Sequence, residues 1–250
     1  MVLDLNSDLG EGFGPWQMGD DAAMLDIVTS ANIACGFHAG DPTIMRRTCG
    51  LAVERGVRIG AHVGYRDLAG FGRRAIEVDP AQLRDEVLYQ IGALGGFAKA
   101  AGDRVRYVKP HGALYHSAAC TRSVAEAVVT AMVEFDQTLV LLGPAGTELA
   151  EAAAASGVGF IGEGFADRAY TPEGSLAPRG LAGAVLAVED AVAQAVSIAQ
   201  RGHARTVDAA RVRVDAESLC VHGDSPAAVR MARLVRERLA AAGVEVRPFS

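Results

Sequence analysis

Short apolar runs alternate with helical patterns along most of this chain, and this alternation limits the fold more than any other feature. Buried strands that alternate with helices build a parallel sheet, either open and doubly wound or closed into a barrel. Polar motifs follow nearly every run, whereas a doubly wound sheet would collect its site at one switch point. We therefore predict an α/β fold, a seven-stranded (β/α) barrel, with strands centred on Leu3, Ile33, Ile59, Tyr107, Val140, Phe160 and Val221.

The segments between the apolar runs carry the signals of helix ends. Asp41-Pro42 and Asp79-Pro80 each place a capping aspartate before a proline at the first helical position, and Gly56 and Gly102 are suited to end the helices that follow. Ser225-Pro226 is predicted to cap the last helix. Further helices are expected over residues 21–29, 124–133, 147–156 and 188–199, and a last short strand is expected over 244–246.

Length and composition indicate a single globular domain over residues 1–250 with a large core, because half of the residues are apolar and 22% are charged. The net charge of −6 provides no positive field for nucleic acid. No basic leader and no run of about 20 apolar residues is present, so we expect a cytoplasmic protein without a membrane partner. The four cysteines form no C-x-x-C pair and are expected to be reduced.

Four of the six histidines fall where predicted strands end. In β/α barrels the carboxyl ends of the strands meet at one mouth, so histidines at these positions are expected to face a substrate. Two long loops, 63–74 and 163–180, add glycine, aromatic and charged side chains to the same mouth. The candidate site residues at strand ends and in the adjoining loops are Asp8, Glu11, His38, His62, Lys109, His111, Asp167, His222 and Asp224.

The candidate residues are compatible with two kinds of site. Asp8, His38, His62 and His111 could bind a zinc-like or manganese-like ion, because imidazole and carboxylate groups are ligands for both. The same side chains could equally form a metal-free site that binds a substrate through hydrogen bonds. A structural metal is not expected, and the sequence leaves a catalytic metal open.

Six segments of the chain resemble the LamB/YcsF family. They occupy residues 4–12, 32–42, 60–62 together with 70–74, 108–115, 165–168 and 220–224. Val63 and Arg66 stand where the family frequently has proline, and residues 216–218 replace a more typical Ala-Asp-Thr run. The resemblance implies a barrel of the glycoside hydrolase/deacetylase type. It also implies a hydrolase acting on cyclic amides, an ATP-dependent 5-oxoprolinase that opens 5-oxo-L-proline to L-glutamate.

The same resemblance implies partners, namely 5-oxoprolinase subunits B and C, which would use ATP to phosphorylate the lactam oxygen. The sequence contains no G-x-x-x-x-G-K-[ST] phosphate loop, so ATP is expected to bind to the partners. Two alternatives remain open. One is a metal-dependent deacetylase or amidohydrolase of sugars or amides, and the other is a non-catalytic scaffold subunit.

Opening of a phosphorylated lactam requires a base for water, donors for developing negative charge and an acid for the ring nitrogen. Asp8 is the expected base, with Glu11 in reserve. His38 and His111 are expected to transfer protons and stabilise charge, with Lys109 as their electrostatic partner. Five further residues are expected to bind the substrate, namely His62, Arg74, Asp167, His222 and Asp224. Of these, Arg74 is expected to bind the substrate carboxylate through two hydrogen bonds.

Overall fold

The computed structural model describes residues 1–224 and 227–249. The first half of the chain contains β1 (Val2–Leu9), α1 (Asp21–Leu25), β2 (Ser30–Ala34), α2 (Pro42–Glu54), β3 (Arg58–Val63), α3 (Pro80–Ala100), β4 (Tyr107–Pro110) and α4 (Gly112–Cys120). The second half contains α5 (Arg122–Phe135), β5 (Val140–Gly143), α6 (Glu148–Ala155), β6 (Gly159–Phe165), α7 (Val188–Arg201), β7 (His203–Arg205), β8 (Arg211–Arg213), β9 (Ser218–Cys220), α8 (Ala228–Ala241) and β10 (Glu245–Val246). Among these described elements, no helix has the length and hydrophobicity needed to cross a membrane.

Seven strands of the described chain form a closed ring. Parallel pairing runs in the order β1-β2-β3-β4-β5-β6-β9, and β9 pairs in turn with β1. This last pairing closes the sheet, so the seven-stranded barrel predicted from the sequence is confirmed and the doubly wound alternative is wrong. Strand β10 pairs with the start of β1 outside the ring, and β7 and β8 form a separate antiparallel pair.

Most predicted helices and their caps are present. Asp41 accepts hydrogen bonds from the backbone N–H groups of Thr43 and Ile44, at 2.8 and 2.9 Å, and Asp79 caps α3 in the same way. The period of apolar residues in α3 predicts one buried face, and the side chains on that face are buried against the barrel. They are Leu83, Val87, Ile91, Leu94 and Ala98.

Three local predictions need correction or lie outside the described residues. Helix α1 ends at Leu25 instead of residue 29, and a turn at residues 26–27 leads from it toward β2, which begins at Ser30. Helix α4 and the pair β7 and β8 were not predicted; α4 begins directly after His111, where the sequence indicated only a loop. The predicted cap Ser225-Pro226 lies outside the described residues.

Strands β1 and β6 continue further toward their carboxyl ends than the sequence indicates, whereas β9 ends at Cys220 and leaves Val221, the predicted strand centre, just outside it. Asp8 and Glu163 were assigned to loops, but they lie within β1 and β6. Alternate residues of a strand face the same side, so Asp4, Asn6 and Asp8 of β1 share one face. All three are buried and bond to polar side chains of other barrel strands. These three polar residues of β1 are therefore paired inside the barrel.

Candidate active site

A cavity of about 470 Å³ opens where the carboxyl ends of the barrel strands meet, a volume suited to a small-molecule ligand. Its walls combine residues from several strands with residues from the two long loops. The structure thus brings together positions that are more than 200 residues apart in the sequence. Six of the predicted site residues line the cavity: Asp8, Glu11, His62, Lys109, His111 and His222.

Lys109 is a buried cation between two buried carboxylates. Its Nζ lies 2.8 Å from Oε1 of Glu163 and 3.0 Å from Oδ1 of Asp8. Burial acts to lower the pKa of Lys109, but Asp8, Cys220 and Glu163 together raise it well above its ordinary value. The lysine therefore remains charged, and it holds Asp8 in a fixed position at the cavity wall.

Polar side chains surround Asp8. Besides the ammonium of Lys109, its Oδ1 accepts a hydrogen bond from Nδ2 of Asn32 at 2.8 Å, and its Oδ2 lies 3.3 Å from Nε2 of His62. Burial acts to raise the pKa of Asp8, but the neighbouring His62 and the ammonium of Lys109 outweigh it and hold this pKa well below its ordinary value. Asp8 is thus an ionised carboxylate at working pH.

Three histidines and Glu11 form a compact cluster beside Asp8. Nε2 of His62 lies 3.0 Å from Nδ1 of His111, and the ring of His38 stacks on that of His111 with centroids 3.7 Å apart. Oε1 of Glu11 lies 3.6 Å from Nε2 of His38. Burial lowers the pKa of His38 and of His111 well below the ordinary value, while burial and Asp8 raise the pKa of Glu11. His38 is fully buried and lies outside the cavity wall.

The loop after β3 packs directly on this cluster. Gly72 has φ +63°, and a Cβ atom at this position would lie 2.7 Å from Cδ2 of His111 and 2.7 Å from Cβ of His38. Phe71 adopts the left-handed conformation with φ 54°, which is costly for an aromatic residue. Its carbonyl oxygen lies 2.8 Å from Nε2 of His111. The strained turn therefore fixes the orientation of the imidazole.

His222 is held by Asp167. Nδ1 of His222 lies 2.9 Å from Oδ2 of Asp167, and its other nitrogen, Nε2, lies 3.9 Å from Oδ2 of Asp8. Burial acts to lower the pKa of His222, but the carboxylate of Asp167 raises it above the ordinary value of 6.5. This histidine can therefore carry a proton at the cavity at neutral pH.

The structure corrects the prediction for Arg74. Its guanidinium pairs with Asp67, with Nε 2.9 Å from Oδ1, and it lies outside the cavity with 65% of its side chain exposed. Arg73 and Arg179 line the cavity instead, and both contact Oδ2 of Asp224, at 3.2 and 3.3 Å. Asp224 lies outside the cavity wall, where it holds these two arginines.

Three residues of the site were not singled out from the sequence. Arg73 and Arg179 belong to the two long loops that were expected to face the substrate, but their neighbours gave no reason to prefer them. Glu163 was placed at the start of a loop, although continuation of the strand by two residues would have put it in line with the interior face of β6. That alternation is the signal that could have identified it.

Comparisons with known proteins agree over the whole chain. The profile of the LamB/YcsF family matches residues 3–250. The 5-oxoprolinase A subunit of Nocardia farcinica is 76% identical over 249 residues, covering 100% of both chains. The crystal structure of the lactam utilization protein from Thermus thermophilus matches with a TM-score of 0.93 and 43% identity, also covering 100% of both chains.

A more distant likeness concerns the fold alone. The polysaccharide deacetylase from Bacillus cereus matches with a TM-score of 0.50 and 13% identity, covering 100% of this chain and 92% of that one. The expected similarity to the barrels of deacetylases is thereby confirmed. At this level of identity, the similarity shows the fold alone.

Proposed function

This chain belongs to the LamB/YcsF family, and we propose that it is the A subunit of a 5-oxoprolinase, whose cavity binds the activated lactam and opens it to L-glutamate. Identity of 76% to a 5-oxoprolinase A subunit over the full length supports this proposal. The observation that carries it is the cavity itself, which combines the ionised Asp8, the buried cation Lys109 and the protonatable His222.

The proposal includes two partner subunits, B and C, in a cytoplasmic complex. They would bind ATP and transfer its γ-phosphoryl group to the lactam oxygen, because an unactivated lactam is a poor target for water. The relatives are named as the A subunits of their enzymes, which implies such partners. The sequence itself contains no recognisable phosphate loop, which is consistent with ATP binding outside this chain.

Arg73 and Arg179 are the groups that we assign to the anionic parts of the substrate. The lactam carries a carboxylate, and its activated form carries a phosphoryl group as well. Two guanidinium groups share the single carboxylate of Asp224, so these three groups together keep a net positive charge. Guanidinium groups bind carboxylate and phosphate oxygens through paired hydrogen bonds, which orients the ring.

The order of bond cleavage determines which groups the site needs. Water adds to the activated ring carbon, its proton passes to Asp8, and a tetrahedral intermediate forms. If phosphate left this intermediate first, the lactam would be regenerated. The C–N bond must therefore break first, with protonation of the nitrogen, and a second water then hydrolyses the resulting acyl phosphate to glutamate and phosphate.

His222 is the acid that we assign to the ring nitrogen. His222 lines the cavity, and Asp167 favours its protonated form. His38 and His111 were expected to transfer protons, but burial favours their neutral forms and His38 lies outside the cavity wall. A positioned acid of this kind contributes about 10²- to 10⁴-fold to the rate.

The test is the Asp8→Asn variant in a complex reconstituted with both partner subunits. This change keeps the shape of the side chain but removes the base, so we expect turnover to fall about 100-fold or more. Copurification with the partners should be unchanged, and thermal unfolding should confirm a folded chain. Asp85→Asn, on the exposed face of α3, is the matched control and should retain wild-type turnover.

The same experiment separates the proposed function from its alternatives. A non-catalytic scaffold predicts that Asp8→Asn turns over at the wild-type rate. If a folded Asp8→Asn chain retains turnover within about threefold of wild type, the loss is too small for a missing base and the assignment is wrong. The deacetylase alternative rests on the likeness of fold, and chelator-sensitive deacetylation by this chain alone would support it.

A further inference from the structure

Two imidazole nitrogens in the cluster face each other with no hydrogen between them. Nδ1 of His62 lies 3.1 Å from the backbone carbonyl of Lys109, and Nε2 of His111 lies 2.8 Å from the backbone carbonyl of Phe71. A carbonyl oxygen only accepts, so each of these nitrogens carries the hydrogen of its neutral ring. The remaining nitrogens, Nε2 of His62 and Nδ1 of His111, therefore present lone pairs to each other at 3.0 Å.

Two further lone pairs point to the same place. Oε1 of Glu11 lies 3.7 Å from Nδ1 of His111, 4.0 Å from Nε2 of His62 and 3.6 Å from Nε2 of His38. Glu11 and His38 are more than nine-tenths buried. Within residues 1–224 and 227–249, neither Oε1 of Glu11 nor Nε2 of His38 has a hydrogen-bond partner. Buried polar atoms without partners are rare in folded proteins, which points to a missing ligand.

We infer that Glu11, His38, His62 and His111 bind one divalent transition-metal ion, with zinc as the best match. The four donor atoms lie within 4.8 Å of one another. Three imidazoles and one carboxylate form a ligand set that zinc accepts. Glu11, His62 and His111 also line the cavity proposed for the lactam, and none of the steps proposed there requires a metal.

The surroundings of the cluster support a metal site. Histidines that bind metals almost always donate their second ring N–H to a carbonyl, a carboxylate or water, which fixes the ring and its tautomer. His62 and His111 both donate in this way, to Lys109 and Phe71. Phe71 adopts its unfavourable left-handed conformation at this contact. The backbone strain at Phe71 therefore lies at the contact that orients His111, one of the four side chains assigned to the metal.

A shared proton is the competing explanation. A proton between His62 and His111 would also relieve the repulsion of their lone pairs. It would leave Oε1 of Glu11 and Nε2 of His38 without partners, whereas one metal ion engages all four atoms. The metal therefore accounts for more of the geometry. It also assigns Glu11 to metal binding, and Asp8 remains the carboxylate beside the ion.

The experiment measures binding rather than turnover, so its result does not depend on the proposed lactam chemistry. The full-length chain is stripped with a chelator, then titrated with Zn²⁺ by calorimetry and with Co²⁺ by visible absorption. We expect one ion per chain and Co²⁺ bands in the visible range. Glu11→Gln and His111→Asn should each weaken Zn²⁺ binding at least about tenfold, since even outer-shell changes at metal sites have effects of that size.

The control is His203→Gln, an exposed histidine of β7 that should leave binding unchanged. If His111→Asn fails to fold, Glu11→Gln still tests the site, because it preserves the size of the side chain. Absence of stoichiometric Zn²⁺ and Co²⁺ binding by the folded wild-type chain would overturn the inference and favour the shared proton. Binding that survives in both ligand variants would place the ion elsewhere and would overturn it equally.

Discussion

His222 shows how a single neighbour can decide the chemistry of a residue. Its ring is buried, which by itself favours the neutral form, yet the carboxylate of Asp167 at 2.9 Å raises its pKa. His38 and His111 are buried to a similar degree, but burial and neighbouring histidines lower their pKa values. Histidines in and beside one cavity thus differ in pKa, and the difference lies in the nearest charge.

We expect turnover of the reconstituted complex to depend on the protonated form of His222. Because its pKa is raised above 6.5, the acid form persists at neutral pH and is lost as the pH rises through the raised pKa. His222→Gln should lower the rate about 100-fold and remove this alkaline decline. The measurement is the pH profile of kcat, with His203→Gln as control. A variant that keeps both the rate and the decline would exclude His222 as the acid.

At this scale the sequence predicts the residue types of the site better than their roles. The histidines at predicted strand ends do meet at one cavity or pack beside it. The sequence analysis selected Arg74 instead of Arg73, but neighbours in a loop point in different directions that depend on its turns. Here Asp67 binds the guanidinium of Arg74 and leaves Arg73 to the cavity.

Among the elements, helices were easier to predict than the ends of strands. Capping aspartates, prolines and a buried face with helical spacing identify α2 and α3 closely. Strand ends were placed too early because Asp8, Lys109 and Glu163 read as loop residues. Their polarity is compensated across the barrel by ion pairs between strands far apart in the sequence. Such pairing is invisible until the strands are placed side by side.

Strand β1 carries a second buried carboxylate, Asp4, whose ionisation should reduce stability. Burial raises its pKa to about 6, despite hydrogen bonds from Ser218, Ser30 and Thr29. The folded chain therefore binds this proton more tightly than the unfolded chain, in which the pKa is near 3.8. The stabilisation that protonated Asp4 provides is complete at low pH and is lost as the pH rises through about 6.

We expect Asp4→Asn to alter how stability depends on pH. A difference of about two pKa units corresponds to about 3 kcal/mol, so the unfolding free energy of wild type should fall by about that much relative to Asp4→Asn between about pH 4 and pH 7. Urea unfolding across this range measures it, and Asp85→Asn, which is exposed on α3, should follow wild type. Parallel curves for wild type and Asp4→Asn would show that Asp4 does not titrate as described.

In the molecule as a whole, closure of the ring is what creates the site. Pairing of β1 with both β2 and β9 places Asp8 beside Asn32 on one side and close to His222 on the other. The sequence indicated this closure because polar motifs followed nearly every strand. The distances and protonation states within the site depend on packing between distant strands, and no local sequence pattern encodes them.

The final prediction concerns what the barrel lacks when it is alone. Its cavity offers a base, a buried cation and an acid, but the sequence has no phosphate loop with which to activate a lactam. We therefore expect the purified chain, given ATP, Mg²⁺ and 5-oxoproline, to form no glutamate above background. Addition of the two partner subunits should restore glutamate formation, and that formation should stop when ATP is omitted. Sustained ATP-dependent glutamate production by the chain alone would mean that activation and ring opening share this one cavity.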